Sequence, residues 1–286
     1  MIKTFLGIEQ TPYDKARVVV IPYGYERTVS YLKGTAQGPK AIIEASSQVE
    51  LYDIEFDSEP HLVGIHTLVE PEQKAIPPED ALKQVYEMVG QVIGDGKLPV
   101  LLGGEHSISQ AGIRACFEKF PDLSVLQIDA HADLRESYED SKYSHASAMR
   151  RVSEMVPYVG VGIRSVGPEE SREFKLRRAS GGIFTRDDFI TLKYSKPIVD
   201  KLSHNVYITI DADGFDPSVI PGVGTPEPGG LSYDDVDRLL RDAVASRNVV
   251  GFDFVELRPI AGEVRSEFTA AKVIYKTIAR IFRNRE

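Results

Sequence analysis

Asp129, His131 and Asp133 stand at intervals of two in the stretch LQIDAHAD, and Asp211 and Asp213 repeat that interval in ITIDADGFDP. In an extended backbone, residues two apart project to the same side, so each stretch is expected to present its acceptors together. Acceptors gathered in this way repel unless cations lie between them, because burying even one unpaired carboxylate is costly. His106, in GGEHS, completes a set of four carboxylates and two imidazoles that two divalent ions would balance in charge. Such a set suits Mn2+ or another borderline divalent ion. Cu(I) or an iron–sulfur cluster would want thiolates, and imidazole is a poor ligand for calcium. Two ions about 3.5–4 Å apart can share a water and lower its pKa from roughly 15.7 toward about 7, giving hydroxide at neutral pH. Taken singly, each motif also reads as a turn or a helix cap, since aspartate is common after strands. The two spaced sets together with GGEHS read as a metal site.

The elements that must hold these residues are legible in the patterning. Short β-branched runs, ARVVVIPYG, KLPVLLGG, LSVLQIDA, VPYVGVGIR, NVYITIDAD and NVVGFDFVEL, alternate with longer amphipathic segments. That alternation predicts an α/β protein with a parallel sheet covered by helices on both faces. Helices are expected over 79–96, 107–119, 186–202, 232–245 and 263–283, and Pro39 suits the first turn of a helix through KAIIEASSQVEL. No repeat, low-complexity tract or charged tail interrupts the chain, so one domain over 1–286 is expected. GGEHS, DAHAD, DADGFDP and VELRP each follow directly on an apolar run. They therefore belong at strand C-termini, the edge of an open parallel sheet where ligands bind.

Composition narrows the function classes. A net charge of -9 argues against a general affinity for nucleic-acid phosphates, which needs clustered Lys and Arg, and an acidic surface suits a small cationic substrate. No apolar run approaches the roughly 20 residues of a membrane span. The N-terminal stretch lacks the apolar run of a signal peptide, and the lone Cys116 excludes an internal disulfide framework; a cytoplasmic protein is expected. Cys116 lies in a segment of helical periodicity and reads as packing. Gly160 and Gly162 would suggest a dinucleotide loop, but the third glycine of that fingerprint falls at Ser165. His61, His66 and His204 lie outside every motif and are expected to be structural.

The combination of GGEHS (103–107), DAHAD (129–133), SHASAMRR (144–151), DADGFDPSVIPGVGTPEPGG (211–230) and ELRP (256–259) resembles the ureohydrolase family, which includes arginase and agmatinase. The resemblance runs from about residue 17 to the C-terminus. It implies a three-layer α/β/α fold with an eight-stranded parallel sheet, a binuclear manganese centre, release of urea from a guanidino substrate, and a trimer or hexamer. By resemblance, His106, Asp129, Asp133 and Asp211 hold one Mn2+, and His131, Asp129, Asp211 and Asp213 the other, with Asp129 and Asp211 bridging. His145 matches a mobile histidine that carries protons to the leaving amine, a role its near-neutral pKa suits. Glu256 matches the carboxylate that grips the guanidinium, as a planar cation pairs well with a carboxylate; the alternative is a salt bridge to Arg258. Thr225 matches a polar substrate contact. Glu105 and Asp216 are expected to orient a ligand or brace a loop.

GGEHS in place of GGDHS, the SHASAMRR form, TPEPGG and the segment TVSYLKGTAQGPKAI resemble the agmatinase side of the family. The loop after DAHAD carries Glu136, Glu139 and Asp140, which would favour a second cationic group on the substrate. Agmatine or N1-aminopropylagmatine is therefore expected, with arginine, guanidinobutyrate or guanidine as alternatives. A metal-dependent deacetylase and a catalytically silent metal-binding relative are the rival readings. The second ligand set, His106, Asp133 and Asp213, weighs against the deacetylase.

Overall fold

The computed structural model describes residues 3–72, 76–192 and 194–283. Eight strands, β1 (Val18–Tyr23), β2 (Ile65–Thr67), β3 (Leu98–Gly103), β4 (Ser124–Ile128), β5 (Tyr158–Ile163), β6 (Ile183–Thr185), β7 (Asn205–Asp211) and β8 (Asn248–Val255), form one sheet in the order β2-β1-β3-β8-β7-β4-β5-β6. Every pairing is parallel. The six apolar runs of the sequence are β1, β3, β4, β5, β7 and β8. The other two strands are three-residue edges, too short for an alternating or apolar pattern to announce them.

The helices are α1 (Gly38–Ser46), α2 (Pro78–Gly94), α3 (Ser109–Lys119), α4 (Ala148–Val152), α5 (Ser171–Ala179), α6 (Arg186–Thr191), α7 (Lys196–Val199), α8 (Tyr233–Ser246) and α9 (Arg265–Arg283). Strand residues alternate between two cores. Val18, Val20, Ile208, Ile210, Phe252 and Phe254 pack with α1, α8 and α9, while Val19, Ile21, Tyr207 and Val250 pack with α2, α3 and α4. Burial on both faces explains why the strands read as continuous apolar runs rather than as alternating ones. The result is the expected three-layer α/β/α sandwich. Among the described residues, no helix is long and apolar enough to cross a membrane.

Local chemistry sets the helix ends. Ser232 accepts a hydrogen bond from Asp235 N while Asp235 accepts one from Ser232 N, a reciprocal cap that starts α8. Thr185 and Asp188 do the same for α6. The single helix expected over 186–202 is two helices, because Leu192 is extended and α7 restarts with Pro197 in its first turn. Proline lacks an N–H and is accommodated only there. Helix α5 was not anticipated; it buries no residue fully and so lacks an apolar stripe to announce it.

Central strand ends approach their neighbours closely. A Cβ on Gly104 would collide with the Tyr25 carbonyl oxygen, which is held in place by accepting Glu105 N at 2.8 Å. Gly104→Ala is therefore expected to push the loop after β1 away from the end of β3 and cost about 1–3 kcal/mol. A lowered urea midpoint with an unchanged m-value would register that loss.

Candidate active site

Four neighbouring strands, β3, β8, β7 and β4, end in the four polar clusters, so GGEHS, VELRP, DADGFDP and DAHAD meet at the C-terminal edge of the sheet centre. Asp211 is the last residue of β7 and Asp213 lies in the following turn, where its N–H donates to Asp211 Oδ1 at 2.9 Å. The DAHAD segment corrects the expectation of an extended backbone. Strand β4 stops at Ile128, and Asp133 adopts a positive φ of 51°. Asp129 and Asp133 turn to His106, whereas His131 turns to Asp213. Asp129 Oδ1 accepts His131 N at 2.6 Å and Asp213 Oδ1 accepts Ala130 N at 3.1 Å, while Ala130 O accepts Arg164 N and Ser165 N and keeps the segment beside the end of β5.

His106 Nδ1 stands 3.0 Å from Asp133 Oδ2, 3.2 Å from Asp129 Oδ2 and 3.4 Å from Asp211 Oδ2. Despite that proximity it makes no aligned hydrogen bond and is fully buried. Its other nitrogen, Nε2, is 3.0 Å from Thr209 Oγ1, whose hydroxyl donates to Asp253 Oδ1 at 2.7 Å. His131 Nδ1 is 2.9 Å from Asp213 Oδ2 and 3.9 Å from Asp129 Oδ1. Two groups could each hold a metal ion, His106 with Asp129 and Asp133, and Asp129 with His131 and Asp213; the ligand atoms within each lie inside 4.8 Å of one another. An orphaned imidazole nitrogen aimed at converging carboxylates fits a divalent cation, which is held by lone pairs and needs no donor alignment.

Crowding shifts the titration of these groups. Burial pushes Asp129 up to about 7, with Asp133 and Asp213 adding to it. Burial and the charge of Asp213 likewise drive Asp211 well above the carboxylate range. Burial also opposes ionisation of Asp213, but the His131 charge overcomes it and holds that carboxyl well below its ordinary value. For His131, burial pulls downward and Asp213 more than compensates, taking the imidazole to about 10. His106 is raised in the same way by Asp129 and Asp133. Burial raises Glu256 and lowers His145.

A cavity of about 250 Å³ opens above the cluster and is lined by His131, Asp133, Asp211, Asp213, His145, Thr225 and Glu256. Tyr31, Leu32, Arg135, Tyr138 and Val166, which are less buried, and the buried Glu170 line it as well. Glu256, at a positive φ of 59°, accepts His106 N with Oε1 at 2.7 Å. Arg258 does not pair with it; its guanidinium donates to Lys33 O instead. Glu136, Glu139 and Asp140 do not line the cavity. Glu136 is paired with Arg150 and Arg151 at 2.8 Å each. Glu105 and Asp216 brace loops as expected: Glu105 accepts Arg27 N and Thr28 N, and Asp216 accepts Ser218 N and Gly230 N. His61, His66 and His204 stand outside the cavity, and Cys116 is buried between α3 and the sheet.

A model of the arginase family matches residues 16–279. The chain belongs to the arginase family. It is 38% identical to an N(1)-aminopropylagmatine ureohydrolase of Synechocystis sp. over 96% of this chain and 92% of that protein. It is 34% identical to an agmatinase of Halalkalibacterium halodurans, covering 90% of this chain and 89% of that one. The solved structure of the agmatine ureohydrolase of Thermoplasma volcanium matches with a TM-score of 0.89 at 33% identity, covering 99% of this chain and 95% of that one. This arginase-family chain is a hydrolase of C–N bonds in amidines.

Three supports of the family site escaped the sequence reading. Arg164 donates to the carbonyls of Asp213 (2.7 Å), Phe215 (3.3 Å), Glu227 (2.7 Å) and Pro228 (3.2 Å), clamping the Asp213 turn to the Thr225 loop. Its position one residue past β5, at a strand end like the other clusters, was the available signal. Gln127 donates to Asp129 Oδ2 at 2.8 Å. Asp253, inside the apolar run of β8, anchors Thr209; a charged residue in a central strand is itself a flag. Gly162, rejected as part of a dinucleotide loop, has φ 96° and lies where a Cβ would press on Asp129 O at 3.0 Å.

The raised imidazole gives a signed pH dependence. His131 binds its proton more tightly folded than unfolded, so its contribution to stability is complete below about pH 6.5 and is lost as pH rises through about 10. Metal-free protein should therefore lose unfolding free energy across that interval. Manganese-loaded protein, with the cation in the proton's place, should lose much less. Urea titrations at several pH values, with and without chelator, measure the difference.

Proposed function

We propose that this chain is a binuclear manganese ureohydrolase that cleaves agmatine or N1-aminopropylagmatine to urea and the corresponding amine. What supports the reading is the sharing of Asp129 between two adjoining carboxylate–imidazole groups on the floor of a cavity that His145, Thr225 and Glu256 also line. His106, Asp129, Asp133 and Asp211 would hold one ion, and Asp129, His131, Asp211 and Asp213 the other. When bound, such a pair lowers the pKa of a shared water and so supplies hydroxide at neutral pH.

The chain's own residues do the rest. Glu256 Oε1 is held by His106 N, so the carboxylate is oriented before substrate arrives and can accept guanidinium N–H donors with its remaining lone pairs. Its raised pKa reflects burial, and a guanidinium beside it would favour the ionised form. Thr225 adds a hydroxyl to the lining of the same cavity. Water oxygen adds to the guanidino carbon, the C–N bond to the alkyl amine breaks, and His145 delivers a proton to the departing nitrogen. The products are urea and an alkylammonium ion. A longer substrate would run its methylenes past Leu32, Tyr138 and Val166.

Urea release from agmatine, N1-aminopropylagmatine, arginine, guanidinobutyrate and guanidine, with manganese added, tests the reading. One of the first two should have the highest kcat/KM. No urea from any compound, with two metals bound, would overturn it, and deacetylation of an acetylated polyamine in its place would favour the rival chemistry. Metal analysis of variants tests the bridging separately: Asp129→Asn or Asp211→Asn should release both ions together, whereas His131→Ala should mainly weaken one. Full occupancy in either Asn variant would contradict the shared ligands.

A further inference from the structure

Thr28 belongs to none of the motifs, yet its hydroxyl touches the imidazole of His145. The loop after β1 is drawn down onto the end of β3 by Glu105, which is fully buried and accepts four hydrogen bonds. They come from Arg27 N (2.7 Å) and Thr28 N (2.6 Å) on Oε2, and from Thr28 Oγ1 (2.9 Å) and Ser107 Oγ (2.6 Å) on Oε1. A threonine hydroxyl has one proton and two lone pairs. The proton of Thr28 goes to Glu105, so only lone pairs remain for His145. One accepts the His145 backbone N–H at 3.0 Å, and the other faces Nδ1 at 3.1 Å.

That count decides which ring nitrogen carries hydrogen. An unprotonated Nδ1 would set its lone pair against the lone pair of Thr28 at hydrogen-bond distance. A protonated Nδ1 donates to it. Ser144 Oγ also lies near Nδ1, at the longer distance of 3.3 Å; having accepted Ala146 N, it keeps a second lone pair that can receive the same Nδ1 proton. The ring plane is set by Tyr138, which stands edge-on at 5.7 Å and 80°. With Nδ1 occupied, Nε2 is the nitrogen left to the cavity, where Asp133, Asp213 and Glu256 also stand.

We infer that Thr28 is a positioning residue that selects the Nδ1–H tautomer of His145, making Nε2 the atom that accepts and releases the proton during amidine hydrolysis. The inference rests on the reading of His145 as proton carrier. Glu105 acts one step further back, by taking the hydroxyl proton that would otherwise compete for Nδ1. The link from β3 to the proton carrier therefore runs through Glu105, Thr28 and His145, and includes no residue of the proposed ligand sets.

Histidine-selective 15N labelling of protein loaded with diamagnetic zinc reads the tautomer directly, with His145→Gln identifying the His145 signals. The wild type should show a pyrrole-like Nδ1 and a pyridine-like Nε2. Thr28→Val should move both signals toward the opposite tautomer, and Thr28→Ser should leave them in place; Thr28→Ala serves if valine disturbs the loop. In manganese-loaded enzyme, Thr28→Val should lower kcat about tenfold with KM within about twofold, and serine should restore it. Unchanged nitrogen signals in Thr28→Val and Thr28→Ala, or a serine variant as impaired as valine, would overturn the assignment. A His145→Gln enzyme with wild-type kcat would instead remove the proton-carrier reading, while the nitrogen signals would still decide the tautomer.

Discussion

Asp129, Asp133, Asp211 and Asp213 are all buried around two imidazoles, and their mutual repulsion is the constraint on which the centre of this protein depends. Two like charges 4 Å apart oppose each other by about 4 kcal/mol at an effective dielectric of 20. Several such pairs in one place would exceed the margin of a whole domain. The site responds with every device available to it. Histidine protons are held more tightly, Asp129 and Asp211 resist ionisation, and the backbone N–H groups of His131, Ala130 and Asp213 donate into the cluster. Divalent cations answer the same problem more completely, because each balances two carboxylates at once.

Holding such a cluster together requires rigid surroundings. The floor is built from the ends of central strands, and the residues behind it are themselves bonded outward: Thr209 to Asp253, and Asp253 to the Tyr207 hydroxyl at 3.0 Å. The loops above are secured by side chains that reach across the chain. Arg164 gathers the carbonyls of the Asp213 turn and of the loop beyond Thr225, Asp216 closes the base of that same loop, and Glu26 accepts Gly34 N, Thr35 Oγ1 and Ala36 N to fold the segment carrying Tyr31 against the cavity. Each bond fixes a backbone position that no amount of apolar packing would specify, since loops bury little surface.

The acidic floor of the cavity and its less buried lining differ in character. Acidic groups on the floor attract a guanidinium regardless of what is attached to it. The less buried lining mixes Tyr31, Leu32, Tyr138 and Val166 with Arg135, whose charge is paired with Glu169 and whose guanidinium lies 4.9 Å from the Tyr138 ring centroid. Glu136, Glu139 and Asp140, which looked suited to a second cationic group on the substrate, do not line the cavity, and Glu136 is paired with Arg150 and Arg151.

The residue types and intervals in LQIDAHAD, ITIDADGFDP and GGEHS were enough to identify the acidic centre, because a chain does not concentrate carboxylates after buried strands without a counter-charge. The apolar runs were enough for the six longer strands, since burial on both faces demands uninterrupted hydrophobic sequence. Lateral order was not legible. Strands β3, β8, β7 and β4 are neighbours in the sheet though far apart along the chain, and adjacency in a parallel sheet depends on crossover paths that leave no local mark. The same holds for the Arg164 clamp and the contact of Thr28 with His145, each made between residues distant in sequence. Sequence alone determined which side chains must gather; tertiary structure decided which of them touch, because contact follows from strand order and loop bonding rather than from spacing.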